Sequence, residues 1–236
     1  MKIGITCYPG IGGSGIIATE LGIKMAERGH EVHFITSNVP FRLSLHHQNI
    51  YVHQTDINSY SVFQYPPYDI TIASKISDII KLYDLEVIHM HYAVPHAVCG
   101  ILAKEMSGRD VKIVTTLHGT DITVLGHDMS LVSAIRYGIE ASDITTSVSK
   151  SLTEDTYRLI EPNKDIKTVY NFIDEEAFNL ENREEARRSL KECYGIEPST
   201  KVLMHTSNFR PIKRLEDVVY TFNLVQKEVD SALILV

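Results

Sequence analysis

The chain has 236 residues, 44% of them hydrophobic and 22% charged, with a formal net charge of −7, a make-up suited to one large globular domain or two small ones. The acidic balance without any basic block speaks against nucleic acid or an anionic membrane surface as a partner. Three widely spaced cysteines, Cys7, Cys99 and Cys193, exclude a disulfide framework and fit a reducing compartment, while no apolar run approaches bilayer-spanning length and the N-terminus lacks a signal peptide's apolar segment; the expected location is the cytoplasm.

Lys2 to Tyr8 is a run of strand formers that leads into Pro9-Gly10-Ile11-Gly12-Gly13-Ser14-Gly15. Helical spacing starts straight after, with Ile16, Ile17, Leu21, Ile23, Met25 and Ala26. Strand, glycine turn and helix open a Rossmann-like unit. Its glycines let backbone approach a ligand, and the new helix offers unpaired N–H groups. The spacing departs from G-x-G-x-x-G, and no Gly-Lys-Ser/Thr follows. A ligand cradle and a tight turn with no ligand both remain open on the loop alone.

Gly29 suits the end of that helix. Glu31 to Thr36 reads as a second strand, Ser37 to Gln48 as a polar loop with the paired histidines His46 and His47, and Asn49 to Gln54 as a third strand. Ile70 to Leu82 has helical spacing, Glu86 to His91 is a fourth strand, and Pro95 to Met106 is a helix. Val111 to Leu117, with apolar Val111, Ile113, Val114 and Leu117, reads as a fifth strand covered on both faces. A helix over Leu131 to Ala141 and a strand over Asp143 to Val148 follow. Ser149 is placed to cap the next helix, whose apolar side carries Leu152, Tyr157 and Ile160. Ile166 to Tyr170 is another short strand. This alternation predicts a parallel sheet with helices on both faces.

The composition shifts over 171–199, where Asn182 to Lys191 is a dense charge run that reads as a solvated helix face, with Glu184 four before Arg188. Val202 to Thr206, Leu215 to Val229 and Ala232 to Val236 begin a second strand–helix–strand series. The expected class is α/β: a doubly wound, Rossmann-like domain over 1–170, a linking region over 171–199, and the start of a second Rossmann-like domain over 200–236. The chain is expected to be a fragment.

Polar residues gather where ligands bind in such sheets, at the strand C-termini. His89 and His91 share one face of the fourth strand, with Tyr92 just past it and His96 beyond. They suit a metal site or a polar seam at the sheet edge, and no cysteine or carboxylate cluster completes the former. His118-Gly119-Thr120-Asp121 ends the fifth strand; it is a substrate turn or an Asx-type turn. Arg136, on the following helix, is either a carboxylate partner or a surface arginine. Asn171 follows a strand end. Arg210, Lys213 and Arg214 crowd a strand-to-helix junction beside Asn208. They read as a diphosphate clamp or as a solvated helix start, and cations oppose the dipole there unless an anion sits between.

In their order along the chain, Gly12-Gly13-Ser14-Gly15, His118-Gly119-Thr120-Asp121, Asn171-Phe172-Ile173-Asp174 and Asn208 to Lys213 resemble the retaining GT-B glycosyltransferases of family 4. That family includes glycogen and sucrose-phosphate synthases. The stretches YPGIGGSG, HMHYAVPHA, TLHGTDITVLG, SVSKSLT, VYNFID and SNFRPIKR extend the resemblance over the whole chain. It implies two Rossmann-like domains with the active site between them, UDP-N-acetylglucosamine as donor, L-malate as acceptor and a place in bacillithiol biosynthesis. No cofactor or metal is implied, and a homo-oligomer is left open. Gly12, Gly13, Ser14 and Gly15 match the loop near donor phosphates and acceptor, and His118 the histidine on the donor sugar. Lys213, helped by Arg210, matches the diphosphate cation. Tyr92, Thr120, Asp121, Arg136, Asn171 and Asn208 complete the substrate-binding set. The implied chemistry is transfer with retention and no protein nucleophile, the departing diphosphate being stabilised electrostatically.

Two departures stand out. Asn208 occupies the place where relatives carry an arginine five before the lysine. The family's E-x7-E pair lies after the lysine, whereas Glu184 and Glu192 have that spacing but precede it, a coincidence. The pair is expected beyond Val236, so the fragment is expected to lack donor-ribose recognition and to be inactive alone. The rival readings are a transferase of the same fold with a polysaccharide or lipid acceptor, a non-catalytic nucleotide-binding module, and a metal-dependent hydrolase built on the histidines.

Overall fold

The computed structural model describes residues 1–43, 47–59, 61–175, 178 and 181–236. His46 lies outside the described residues. The chain divides into two compact units, Met1–Phe172 and Ile173–Val236.

In the first unit the strands are β1 (Lys2–Thr6), β2 (Glu31–Thr36), β3 (Ile50–Gln54), β4 (Val87–His91), β5 (Lys112–Leu117), β6 (Ile144–Ser147) and β7 (Ile166–Thr168). They pair in parallel in the order β3-β2-β1-β4-β5-β6-β7. Helices α1 (Gly13–Glu27), α2 (Tyr68–Tyr83), α3 (Val98–Ser107), α4 (Thr120–Thr123), α5 (Met129–Ala141) and α6 (Lys150–Leu159) alternate with them.

Both sheet faces are covered, and the side-chain alternation shows it. Phe34 packs with Ile5, Ala18 and Ile23, while its neighbour Ile35 packs with Ile72, Ile76, Ile88 and Met90. Successive strand residues point to opposite faces, so a strand with both neighbours buried has a helix layer on each side. Each fully buried isoleucine or phenylalanine contributes roughly 1.5–3 kcal/mol. A third cluster, Leu117, Ile122, Ile135, Ile139, Leu152 and Ile160, holds α4, α5 and α6 at the β5–β6 end.

Expected elements are present, with shifted ends. β1 stops at Thr6, short of Tyr8, because the chain turns into the glycine loop there. The helix expected from Pro95 is instead a kinked turn over Ala93–Ala97 followed by α3, with Val94 in extended conformation at φ −128°. β7 ends at Thr168. Ser149 caps α6 as expected, its hydroxyl accepting from the Leu152 N–H at 3.1 Å. Tyr157 is 41% exposed rather than turned into the core; its hydroxyl donates to Lys164 O and accepts from Ile166 N–H, which draws the ring outward.

The second unit holds α7 (Arg183–Cys193), a parallel pair β8 (Lys201–His205) and β9 (Ser231–Leu235), and α8 (Leu215–Val225) between them. Helix α7 occupies the charge run, but the run is not solvated throughout. Lys191 is buried, and its ammonium donates to Pro198 O (2.6 Å) and Thr200 O (2.7 Å). A long aliphatic stem lets a lysine reach buried carbonyls in this way.

Among the described residues, no helix is long and apolar enough to cross a membrane. Cys7, Cys99 and Cys193 are free thiols; burial pushes Cys7 and Cys99 up to about 12.

Candidate active site

The sheet order reverses between β1 and β4: β2 and β3 lie on one side, β5 to β7 on the other. In open α/β sheets the crevice outside the strand C-termini at this crossing takes the ligand. The glycine loop follows β1, Tyr92 follows β4, and His118 follows β5, so three sequence-predicted pieces converge on that crevice.

In the loop, Gly12 precedes α1 in extended conformation and supplies no side-chain cap. Its N–H donates to Gly10 O at 2.8 Å, and its carbonyl accepts from Ile16 N–H at 3.0 Å. Among the described residues, Gly13, Ser14 and Gly15 have no backbone acceptor for their N–H groups. These stand at the positive end of a 15-residue helix, where an anion or a polarised oxygen is favoured. Gly15 has a packing reason as well: a Cβ there would stand 2.3 Å from Tyr8 O. Among the described residues, a Cβ at Gly10, Gly12 or Gly13 would meet nothing within 4 Å, so these three positions face open space.

The turn after β5 is built around Gly119 and Asp121. Gly119 has φ +125°, a conformation that side chains rarely adopt. Asp121 is fully buried. Its Oδ1 accepts from the N–H of His118 (3.2 Å) and Gly119 (3.0 Å), and its Oδ2 from Ala93 N–H (3.2 Å). Both carboxylate oxygens are thus engaged by backbone, and Asp121 serves the site by tying the β5 turn to the β4 turn. Burial still holds its carboxyl above the ordinary range, the three N–H groups opposing that rise.

Ile88 and Met90 face the α2–α3 core, which puts His89 and His91 together on the other face. Their rings stack at 4.4 Å. Since β4 is the central strand, these histidines fill a polar seam inside the sheet, not at its edge. His89 Nε2 bonds Thr116 Oγ1 at 2.7 Å, which in turn bonds Thr146 Oγ1 at 2.8 Å. His91 Nδ1 lies 2.8 Å from His118 Nε2. His96 Nδ1 donates to His91 O at 2.6 Å, so its Nε2 is left to accept from the Tyr68 hydroxyl at 2.9 Å. Burial lowers His89, His96 and His118 to about 4 and His91 well below 6.5. All four rings are neutral at physiological pH. Among the described residues, no three His, Cys, Asp or Glu side chains could hold a metal ion together.

Tyr8, Tyr92, Val94, Pro95, Thr120, Asp121, Leu125 and Leu131 line a cavity of about 280 Å³. Tyr92 adopts φ +88°, a region costly for a bulky side chain. Its N–H donates to Thr116 O, its carbonyl accepts from Ala97 N–H, and its ring meets His118 at 5.3 Å. Tyr8 packs against Tyr92 (5.7 Å) and His96 (4.6 Å). Sequence reasoning missed Tyr8 as a wall of the site, although a tyrosine at the β1 end just before the glycine loop was the signal.

Other expected site residues are placed differently. Arg136 is half-buried on α5, and its Nε donates to Ile160 O at 2.7 Å. Asn171 is exposed near the end of the first unit. In the second unit, Asn208 Oδ1, with its amide turned to face Arg210, accepts from Arg210 Nε (3.1 Å) and Nη2 (3.3 Å). Arg214 pairs with Asp217 in the first turn of α8, so the dipole conflict expected of three cations is met for Arg214 by the helix's own acid. Lys213 is exposed on the one-turn helix Pro211–Lys213.

The pattern of glycosyltransferase family 4 matches residues 11–177. This chain belongs to that family. The match takes in the glycine loop, the histidine seam and the Gly119–Asp121 turn of the family 4 chain. Over all 236 residues it is 56% identical to the N-acetyl-alpha-D-glucosaminyl L-malate synthase of Bacillus anthracis, spanning 61% of that relative's length. Two solved structures share the fold. A glycosyltransferase from Rickettsia africae superposes with a TM-score of 0.73 at 15% identity, covering 99% of this chain and 68% of its own. Anabaena HepE in complex with UDP-glucose superposes with a TM-score of 0.74 at 17% identity, covering 100% and 60%. The fold is the Rossmann-like α/β fold of the GT-B glycosyltransferases.

Proposed function

We propose that this chain is part of a transferase that moves N-acetylglucosamine from UDP-N-acetylglucosamine to L-malate, with retention at the anomeric carbon, in the cytoplasm and in the bacillithiol pathway, residues 1–170 holding the acceptor and 200–236 beginning the donor-binding domain. The observation that carries the reading is the 56% identity to a synthase of that name across the entire chain. The geometry supports it. An open glycine loop at a helix N-terminus suits phosphate or carboxylate oxygens, and the adjoining cavity of about 280 Å³ has the size of a small polar molecule rather than a lipid.

His118 is neutral and faces the ring of Tyr92, so it suits hydrogen bonding to a sugar rather than carrying charge. Arg210, oriented by Asn208, and the exposed Lys213 are the cations for the departing diphosphate. Stabilising charge that develops only as the bond breaks raises the rate without a protein nucleophile. No resident metal or cofactor enters this reading.

The test is a transfer assay with UDP-N-acetylglucosamine and a panel of hydroxy acids. It is run on this chain and on a version extended to the full length of the curated relative. The extended protein should glycosylate L-malate, give the α-anomer by proton NMR, and keep its rate in excess EDTA. This chain alone should be inactive. Lys213→Ala should cost about a hundredfold in kcat, as for other single groups that stabilise developing charge. Transfer to another acceptor in preference to malate, or a β-anomer, would overturn the reading.

A further inference from the structure

The contact between His118 and His91 has only two arrangements. Both rings are neutral, and two neutral imidazoles meeting nitrogen to nitrogen share one proton, one donating and the other accepting. The far side of His91 decides between them. His91 is 1% exposed, and among the described residues its buried Nε2 has no hydrogen-bond partner. Were the shared proton on His118 Nε2, His91 would carry its own on Nε2 and bury an N–H with no acceptor. With the proton on His91 Nδ1, Nε2 is a bare lone pair instead. Buried orphan N–H donors are rarer than under-satisfied acceptors. Turning the ring over does not escape the choice, because it would put Cδ2 where Nδ1 meets His118 Nε2 and lose that hydrogen bond.

We infer that His91 is a positioning residue that fixes His118 in its Nδ1–H tautomer, so that His118 presents a hydrogen-bond donor to an acceptor oxygen of the bound ligand. His118 Nδ1 makes no hydrogen bond within the described chain, and the residue is only half-buried. With Nε2 filled from His91 and Nδ1 already protonated, His118 offers no free lone pair to take a proton from a hydroxyl. Its part is to recognise an oxygen, not to act as a general base. Only the nature of the ligand rests on the proposed sugar transfer; the tautomer stands without it.

Long-range proton–nitrogen correlation spectra of the unliganded, nitrogen-15 histidine-labelled protein test this near neutral pH, with His118 assigned by the loss of its signals in His118→Gln. The expected result is a protonated Nδ1 and a bare Nε2 on both His118 and His91. A protonated His118 Nε2 overturns the inference. The wild-type spectrum decides this without any change to the seam.

His91→Asn keeps an N–H at the place of Nδ1 and should preserve the His118 tautomer, whereas His91→Leu should release it into a mixture. In the extended transferase, His91→Leu should lower kcat/KM by about tenfold, the scale of one misdirected hydrogen bond, and His91→Asn should recover most of the loss. Equal losses in the two variants count against a tautomer-setting role. An extended wild-type protein that shows the expected spectrum but transfers no sugar would sink the proposed activity and leave this inference standing.

Discussion

Asp121 Oδ2 accepts from the backbone N–H of Ala93 at 3.2 Å, so a carboxylate from the β5 turn holds the residue next to the strained Tyr92. The other oxygen serves His118 and Gly119 in its own turn. Asp121→Asn keeps the shape but offers only one acceptor oxygen. Whichever way the amide turns, its NH2 faces a backbone N–H. The expected cost is about 1–3 kcal/mol, that of leaving a buried donor unsatisfied. Urea denaturation measures it, and near-UV circular dichroism should report altered tyrosine packing around Tyr92. An Asp121→Asn protein as stable as the wild type would mean the three bonds do not hold the two turns.

The glycine loop separates packing from binding. Gly15→Ala sets a methyl 2.3 Å from Tyr8 O, and backbone cannot give way as a flexible side chain does. The expected loss is about 1–3 kcal/mol, as for other overpacked sites. Gly13→Ala meets nothing within 4 Å and should leave the melting temperature nearly unchanged. If the loop cradles a ligand, the same methyl should weaken UDP binding, read by calorimetric titration of the extended protein. A Gly13→Ala protein that loses stability as Gly15→Ala does would show that the loop is packed rather than open.

These positions show how far the sequence could be read. The parallel sheet followed from strand–helix alternation, because segments such as Val111 to Leu117 are rich in β-branched residues and bounded by polar turns. Gly15 and Gly119 were visible as glycines, but not which one a neighbour forbids and which one a positive φ demands. Asp121 read either as a ligand residue or as part of an Asx-type turn, since three backbone donors from two turns leave no trace in spacing. Tyr92 could be named from its place after β4, yet its strained backbone arises from the β4–α3 junction and is set by tertiary contacts. Asn208 was noted as a missing arginine. Its hold on Arg210 depends on a local turn that composition does not reveal.

Lys191 was the residue read least well. A lysine inside NREEARRSLK looks solvated, but its Nζ bridges the Pro198 and Thr200 carbonyls. Lys191→Met keeps the aliphatic stem and strands both acceptors, at an expected cost of about 1–3 kcal/mol. Hydrogen exchange should report it locally, as faster exchange of the α7 amides without change in β1 or β4. Protection that is uniform across variant and wild type would remove Lys191 as a fastener of the second unit.

The buried histidines should set the acid limit of the first unit. His89, His96 and His118 fall from 6.5 to about 4 on folding, chiefly through burial. A lowered histidine means that the unfolded chain binds more protons between those two values. The stability it contributes is therefore complete above pH 6.5 and is lost as pH falls toward 4. Each ring is worth about 3 kcal/mol across that window, and because they lie against one another the contributions do not add in full. Asp121, with its raised carboxyl, works in the opposite direction, but His91, His33 and His53 are lowered as well, and one group does not offset them all. Urea midpoints should hold steady from about pH 8 to about pH 7 and then fall steeply toward about pH 5. His89→Gln, whose amide can still reach Thr116 Oγ1, should make that fall shallower. A flat profile between about pH 7 and pH 5 would mean the rings take up protons in the folded state, and the neutral seam behind His118 would have to be abandoned.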